Sequence, residues 1–319
     1  MTGSLPDDVQ QVFDRFISTE YATIDGRGQP IVWPVTPYYT PGAQTIDVTT
    51  GLGYPKKAAD AEGNPKVALL FSEPTGSGIE APPTVLVQGT ADVDDRDLQA
   101  NRERYERESV VKLPGTKDAL PPKPLRRFFN WYFTRIYVHV RPERVWVWRG
   151  GPDEEPELFD THVEEVRSAH VEEPAAEHAG SDAPEPVWDE RIEELGDRYR
   201  TAALSLVAPD GFPFSARVDV SLDRDARTIR IDRVPTGMPI QPGLACLAAH
   251  DHDETFTWQR NFQVRGDLVE DDRGWAVVPA KLVGGFEIPP GSAIERARVN
   301  FAKVRRFRRI AKREMAKRG

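Results

Sequence analysis

Thr45-Ile46-Asp47-Val48 returns 183 positions later as Thr228-Ile229-Arg230-Ile231, and this pair decides how the 319-residue chain is read. Upstream, Gly28-Gln29-Pro30 matches Gly211-Phe212-Pro213 at the same spacing. Downstream, Pro65 followed by Val67-Ala68-Leu69-Leu70 matches Pro242 followed by Leu244-Ala245-Cys246-Leu247, now 177 positions on. Gln88-Gly89-Thr90 and Arg265-Gly266-Asp267 keep that second spacing. Register held on both sides of one gap marks an internal duplication, with six residues deleted from the second copy opposite the stretch between Thr50 and Pro65.

The texture inside each copy sets the fold class. Runs rich in Val, Ile, Thr and aromatics at 21–25, 31–39, 45–50, 67–71, 84–93 and 136–148 are broken by Gly, Pro and Asp. Many short strands with turn signals between them predict an antiparallel barrel or sandwich. Two helices are predicted in the first copy. Asp7 and Asp8 start one, with Val9, Val12, Phe13 and Phe16 on a single face; the other covers 55–63. From about 150 to 190 the composition turns acidic and rich in Pro and Ala, as a linker does. The chain therefore divides into 1–150, a linker over 151–195, and a second barrel with a basic C-terminal helix over 196–319. The fold expected from the residues alone is mainly β, two tandem antiparallel barrels or sandwiches with flanking helices.

Composition narrows the function. A formal charge of −9 argues against nucleic acid as a specific partner. Cys246 is the single cysteine, so no intrachain disulfide and no cysteine-based zinc site can form. The acidic start lacks the pattern of a secretory signal, and no run approaches the ~18 apolar residues of a membrane span. A monomeric, cytoplasmic protein acting on a small molecule is the expectation.

The stretch missing from copy two is the one with chemistry. It reads Thr49-Thr50-Gly51-Leu52-Gly53-Tyr54-Pro55-Lys56-Lys57-Ala58-Ala59-Asp60 in copy one. Hydroxyls at a strand end, glycines, and a helix start bearing two lysines together suit an anion such as phosphate. On the residues alone, such a stretch is more often a solvated loop. Copy two has Val234-Pro235-Thr236-Gly237-Met238-Pro239 there, with no lysine.

The order strand, Gly-x-Pro, strand, Thr49-Thr50, Lys57-Ala58, Asn64-Pro65-Lys66-Val67-Ala68-Leu69-Leu70-Phe71, then Val85-Leu86-Val87-Gln88-Gly89-Thr90-Ala91 resembles the pyridoxamine 5′-phosphate oxidase-like split barrels. That superfamily includes flavin- and deazaflavin-dependent oxidoreductases. The resemblance covers about 5–148, with a weaker echo over 198–286, and implies two tandem split β-barrels with flanking helices. Because family members pair barrel against barrel with the cofactors at the interface, it also implies a pseudo-dimer within one chain. It implies that Lys57, eight residues before Pro65, binds a cofactor phosphate, with Lys56 beside it. It also implies that Thr49 and Thr50 end the strand beneath the cofactor and that Pro34, Val35 and Thr36, after Trp33, run along its ring. The implied cofactor is FMN, or alternatively deazaflavin F420, and the implied activity is hydride transfer to or from a small apolar or conjugated substrate. The pattern departs at Trp33 and Tyr38, where the oxidases proper carry further basic phosphate ligands. That departure keeps a non-catalytic flavin, haem or lipid binder in view.

Three other features are weighed. His250-Asp251-His252-Asp253 is read as a polar turn with no metal. Trp131, Tyr132 and Phe133, with Trp146 and Trp148, are read as core or as a pocket wall. Residues 296–318 carry eleven Lys/Arg and one acid, Glu314, on an amphipathic helix read as packing on a barrel.

Overall fold

The computed structural model describes residues 5–113, 115, 130–160, 185–285 and 293–318, with backbone alone for 130 and 293–304. Copy one opens with α1 (Asp7–Arg15), whose acidic first turn suits the free amides of a helix start and whose Val9, Val12 and Phe13 are buried. Then come β1 (Thr19–Ile24), β2 (Pro30–Val35), β3 (Ile46–Gly51), α2 (Lys56–Gly63), β4 (Lys66–Phe71), β5 (Thr84–Asp94) and α3 (Leu98–Lys112). A short α4 (Asn130–Phe133), β6 (Arg135–Trp148) and β7 (Glu157–Asp160) follow. Copy two comprises β8 (Thr201–Val207), β9 (Pro213–Asp223), β10 (Thr228–Arg233), β11 (Gly243–His252), β12 (Gln259–Asp271) and β13 (Gly274–Gly284). The chain continues into α5 (Ala293–Arg318).

The duplication holds at the level of hydrogen-bonded register. The first sheet runs β2-β1-β4-β5-β6-β3, and copy two repeats the order as β9-β8-β11-β12-β13-β10, closed by a β10–β9 pair. In copy one a single bridge, Tyr38 to Asp47, joins the chain after β2 to β3. Ala22 faces Val32 across β1–β2, and Ser205 faces Ser215, each residue 183 positions on. The turns before β2 and β9 use Gly28 at φ 77° and Gly211 at φ 81°, a left-handed conformation that glycine adopts without a Cβ penalty. Gly89 and Gly266 face Pro142 and Pro279 at matching bulges, where a Cβ would strike the carbonyl before each proline. Two split barrels in tandem therefore fold alike.

One register differs from the motif count. Ala22 pairs Ala68, so a constant spacing of 177 would set Ala245 opposite Ser205, but Cys246 stands there. Five residues are thus missing before β11, and the sixth is missing between β11 and β12. The apolar run alone conceals the slip, because buried faces on both sides remove the alternation that fixes register.

The barrels share a seam arranged as a pseudo-dimer. β2 lies against β11, and β9 lies reciprocally against β4. Ala22, Val32, Ala68, Leu70 and Leu86 join one buried cluster with Leu204, Phe214, Val218, Leu247 and Phe262. Polar groups at the seam are paired: Gln88 donates to the Pro213 carbonyl (2.9 Å), and Gln263 to that of Val32 (3.2 Å). Fully buried Glu20 accepts from Arg217 and Ser72 and meets the His250 ring. His250 and His252 therefore lie in a strand, not in the polar turn expected, because their imidazoles find buried partners in Glu20 and Ser18 across the seam.

Two segments depart from simple tandem order. Part of the stretch read as linker, β7, adds a strand to the first sheet beside β6. Helix α5 follows copy two in the chain yet covers copy one. Phe307 stacks on Trp131 at 5.3 Å between ring centroids, and Arg318 pairs with Glu62 and Asp95.

Candidate cofactor groove

A cavity of about 680 Å³ opens along β2, the start of α2 and the seam. Copy one supplies Trp33, Pro34, Val35, Thr36, Thr49, Lys56 and Lys57; copy two supplies Phe256, Gln259, Asn261 and Arg265; α5 adds Arg306, Phe307 and Ile310. The stretch that carries the sequence motif and the strand next to the seam thus share one wall.

Local structure explains how each residue is presented. Thr49 lines the groove, whereas its neighbour Thr50 is buried and donates to the Tyr54 carbonyl at 2.8 Å. Successive side chains of a strand face opposite ways, so the pair divides between groove and turn. Thr50 is the one residue of the expected set outside the lining. It holds the 51–55 turn, which is also tied by Tyr54 N–H to Gly51 O (2.9 Å) and by Gly53 N–H to Trp131 O (3.2 Å). Pro55 precedes α2, and its carbonyl accepts from Ala58 and Ala59, leaving the amides of Lys56 and Lys57 as the first of the helix.

The two lysines are not equivalent. The Lys56 ammonium is exposed and bound to Asp60 (2.8 Å) and Asp25 (3.7 Å). Lys57 is half-buried, has no carboxylate partner among the described residues, and rests over the Tyr54 ring at 5.2 Å. Burial and the nearby Arg135 guanidinium lower its pKa to about 8.

Arg135 is a groove residue that the sequence reading missed. It stands at the start of β6, buried, with a guanidinium that donates to Tyr54 (3.1 Å) and Tyr105 (2.7 Å) hydroxyls. Its guanidinium also faces the Tyr105 and Tyr132 rings at 4.1 and 4.3 Å. No carboxylate pairs with it among the described residues, and its Nε–H is buried without an acceptor. The Tyr38 hydroxyl is likewise buried without a partner. Arg135 supplies a cation that the sequence lacks at Trp33 and Tyr38, and it comes from a different strand. The signal available was a lone arginine opening an apolar strand behind Trp131-Tyr132-Phe133.

The corresponding place in copy two is filled. Trp148 donates its indole N–H to the Thr236 carbonyl (3.0 Å), and Thr236 N–H donates to Pro152 O (2.8 Å). Trp146 and Trp148 stand edge-on to Phe214, and the Pro156 ring packs against Gly237. The residue 137 positions beyond Arg135, the spacing from Pro142 to Pro279, is Asp272, of opposite charge.

No family model and no curated protein matches the chain. It is similar to solved structures. One is a putative pyridoxamine 5′-phosphate oxidase from Listeria innocua (16% identity, 45% of this chain and 98% of that one, TM-score 0.32). Another is an F420 reductase (17%, 44% and 98%, TM-score 0.34). A third is general stress protein 26 from Bacillus anthracis (14%, 48% and 96%, TM-score 0.30). Each of these similarities spans less than half of this chain and nearly all of the other.

Proposed function

We propose that the groove binds a phosphate-bearing flavin, FMN or alternatively deazaflavin F420, and that the chain is an oxidoreductase acting on a small apolar or conjugated substrate. The observation that carries this reading is the pair Lys57 and Arg135, two cations in one groove with no carboxylate partner among the described residues. Burying unpaired charge is costly, and an anion between the two offsets that cost. The free Nε–H of Arg135 and the Tyr38 hydroxyl offer further hydrogen bonds to such a ligand. Trp33 to Thr36 give a flat edge along which a ring system can lie, and Lys56 sets the outer rim.

When bound, the flavin supplies the hydride chemistry, while the protein anchors, orients and shields. Anchoring falls to Lys57 and Arg135, orientation to β2 and Thr49, and exclusion of water to Phe307 and Ile310 of α5. A monomeric pseudo-dimer with one competent site, working in the cytoplasm, belongs to the same reading. No helix among the described residues is long and apolar enough to cross a membrane.

The alternative is a non-catalytic holder of flavin, haem or lipid, favoured by Trp33 and Tyr38 in place of basic ligands. Titration with FMN and F420, then with Lys57→Met and Arg135→Met, tests the assignment. Each loss should weaken binding by about 1.5–3 kcal/mol, the worth of a hydrogen bond to a charged group. Lys57→Met should not lower the melting temperature, because it removes a cation with no carboxylate partner, whereas Arg135→Met also removes hydrogen bonds to Tyr54 and Tyr105 and should lower it. Unchanged affinity in both rejects the site. Bound cofactor that no reductant or substrate can turn over favours the holder.

A further inference from the structure

The β11–β12 ladder of copy two outruns its counterpart. In copy one the β4–β5 pairing ends at Phe71 with Val85, equivalent to Ala249 with Phe262. Copy two adds His250 with Asn261, Asp251 with Arg260, and His252 with Gln259. The extension crosses the seam and seats on copy one, where a Cβ on Gly76 would lie 2.5 Å from the Glu254 carbonyl oxygen. Its tip puts Phe256 into the groove of copy one, with Gln259 behind it on the same wall.

Phe256 holds φ at 59°, left-handed backbone that a bulky L-residue rarely adopts. Strain of this kind persists where the surroundings over-determine it, and it clusters at ligand sites. The surroundings here are specific. The Asp253 carboxylate accepts from the Thr257 amide (2.6 Å), and Phe256 N–H donates to the Asp253 carbonyl (3.0 Å). The Phe256 ring packs on His252 at 5.1 Å. That imidazole is fixed in one tautomer, since Nδ1–H donates to the Asp253 carbonyl (3.1 Å) and Nε2 accepts from Ser18 (2.9 Å). A strained aromatic that lines the groove is therefore braced from both copies.

We infer that the extended hairpin is the substrate wall of copy one's site, with Phe256 presenting its ring to an uncharged planar group. Among the described residues the groove's cations come from α2, β6, β12 and α5. The hairpin tip, Thr255-Phe256-Thr257-Trp258, brings none, and Leu113 and Tyr38 line the same cavity. A flat apolar ring fits that wall, and a second anion does not. Copy two, with its own groove filled, thereby sets the specificity of its twin. The inference rests on the cofactor reading for the identity of the first ligand.

The test uses the full chain and the neutral naphthalene dye prodan, whose emission shifts to the blue in apolar surroundings. Wild type should bind the dye with a blue shift. Phe256→Leu, which keeps bulk and backbone strain, and Phe256→Gly, which removes both, should each weaken binding at least tenfold. Glycine adopts the required φ freely, so Phe256→Gly should melt no lower than Phe256→Ala, which loses the same ring but keeps the strain. Absence of dye binding by wild type, wild-type affinity in Phe256→Leu, or a melt of Phe256→Gly below that of Phe256→Ala would each overturn the inference. Failure of FMN and F420 to bind wild type instead rejects the cofactor reading and leaves the dye result standing.

Discussion

The Arg135 guanidinium lies near enough to the Lys57 ammonium to disfavour its proton, and with burial it brings that lysine down to about 8. Anion binding needs the charged form. Affinity for FMN or inorganic phosphate should therefore be full below about pH 7 and decline as pH rises through about 8, well before an ordinary lysine titrates. Lys57→Arg, which stays charged, should flatten the profile. A profile that is level up to pH 10 in wild type shows that Lys57 does not hold the anion.

Glu20 ties the two copies together. Burial alone would raise its pKa, but Arg217, His250 and Ser72 reverse this and hold it at about 2 against an ordinary 4.5. A carboxyl depressed in the folded state contributes stability that is full above the unfolded value and lost as pH falls. Acid should thus destabilise the protein between about pH 4.5 and 2. Glu20→Gln leaves Arg217 facing a neutral partner at the seam and should cost about 3–5 kcal/mol at pH 7, measured by denaturant unfolding. The variant should also lose most of wild type's acid sensitivity in that window.

The duplication was legible because Gly28, Gly211, Gly89 and Gly266 mark turns and bulges that only glycine fills without strain, and those residues stay when others drift. Lys57 was legible through its spacing from Pro65, and the strand at Trp33–Thr36 through its place after the first turn. Arg135 was not, because nothing local separates an arginine that reaches an inner groove from one at a strand end in water. Phe256 escaped for a different reason. Its place in the groove depends on an extension of copy two across the seam, and a single chain of letters carries no sign of which strands meet there.

Helix α5 closes the groove through Phe307, which lies against Tyr54, Trp131 and Gly53. Phe307→Ala should open the phosphate end to water while leaving the barrels intact. Because Phe307 is half-buried, the stability loss should fall below the ~3–5 kcal/mol of a fully buried phenylalanine. Cofactor affinity should fall in parallel. Gly53→Ala tests the same contact from the other side, since its Cβ would lie 2.8 Å from the Phe307 Cβ. If α5 is only a solvated appendage, hydrogen exchange of the 51–57 amides will be identical in both variants and wild type.

The paired bulges give the sharpest test of equivalence between the copies. A Cβ at Gly89 collides with the Arg141 carbonyl oxygen, and one at Gly266 with that of Val278. These are backbone atoms in a hydrogen-bonded ladder, so they yield only by breaking the bulge. Each Gly→Ala change should cost at least the ~1–3 kcal/mol of an overpacked core site, with similar values in the two barrels. The functional outcomes should diverge. Gly89→Ala disturbs β6, the strand of Arg135, and should weaken phosphate binding, whereas Gly266→Ala strains β12 beside Arg265 and leaves the Lys57–Arg135 end in place. Equal loss of phosphate affinity from both substitutions would mean that the anion is gripped by the whole seam, not by the corner that copy one retained.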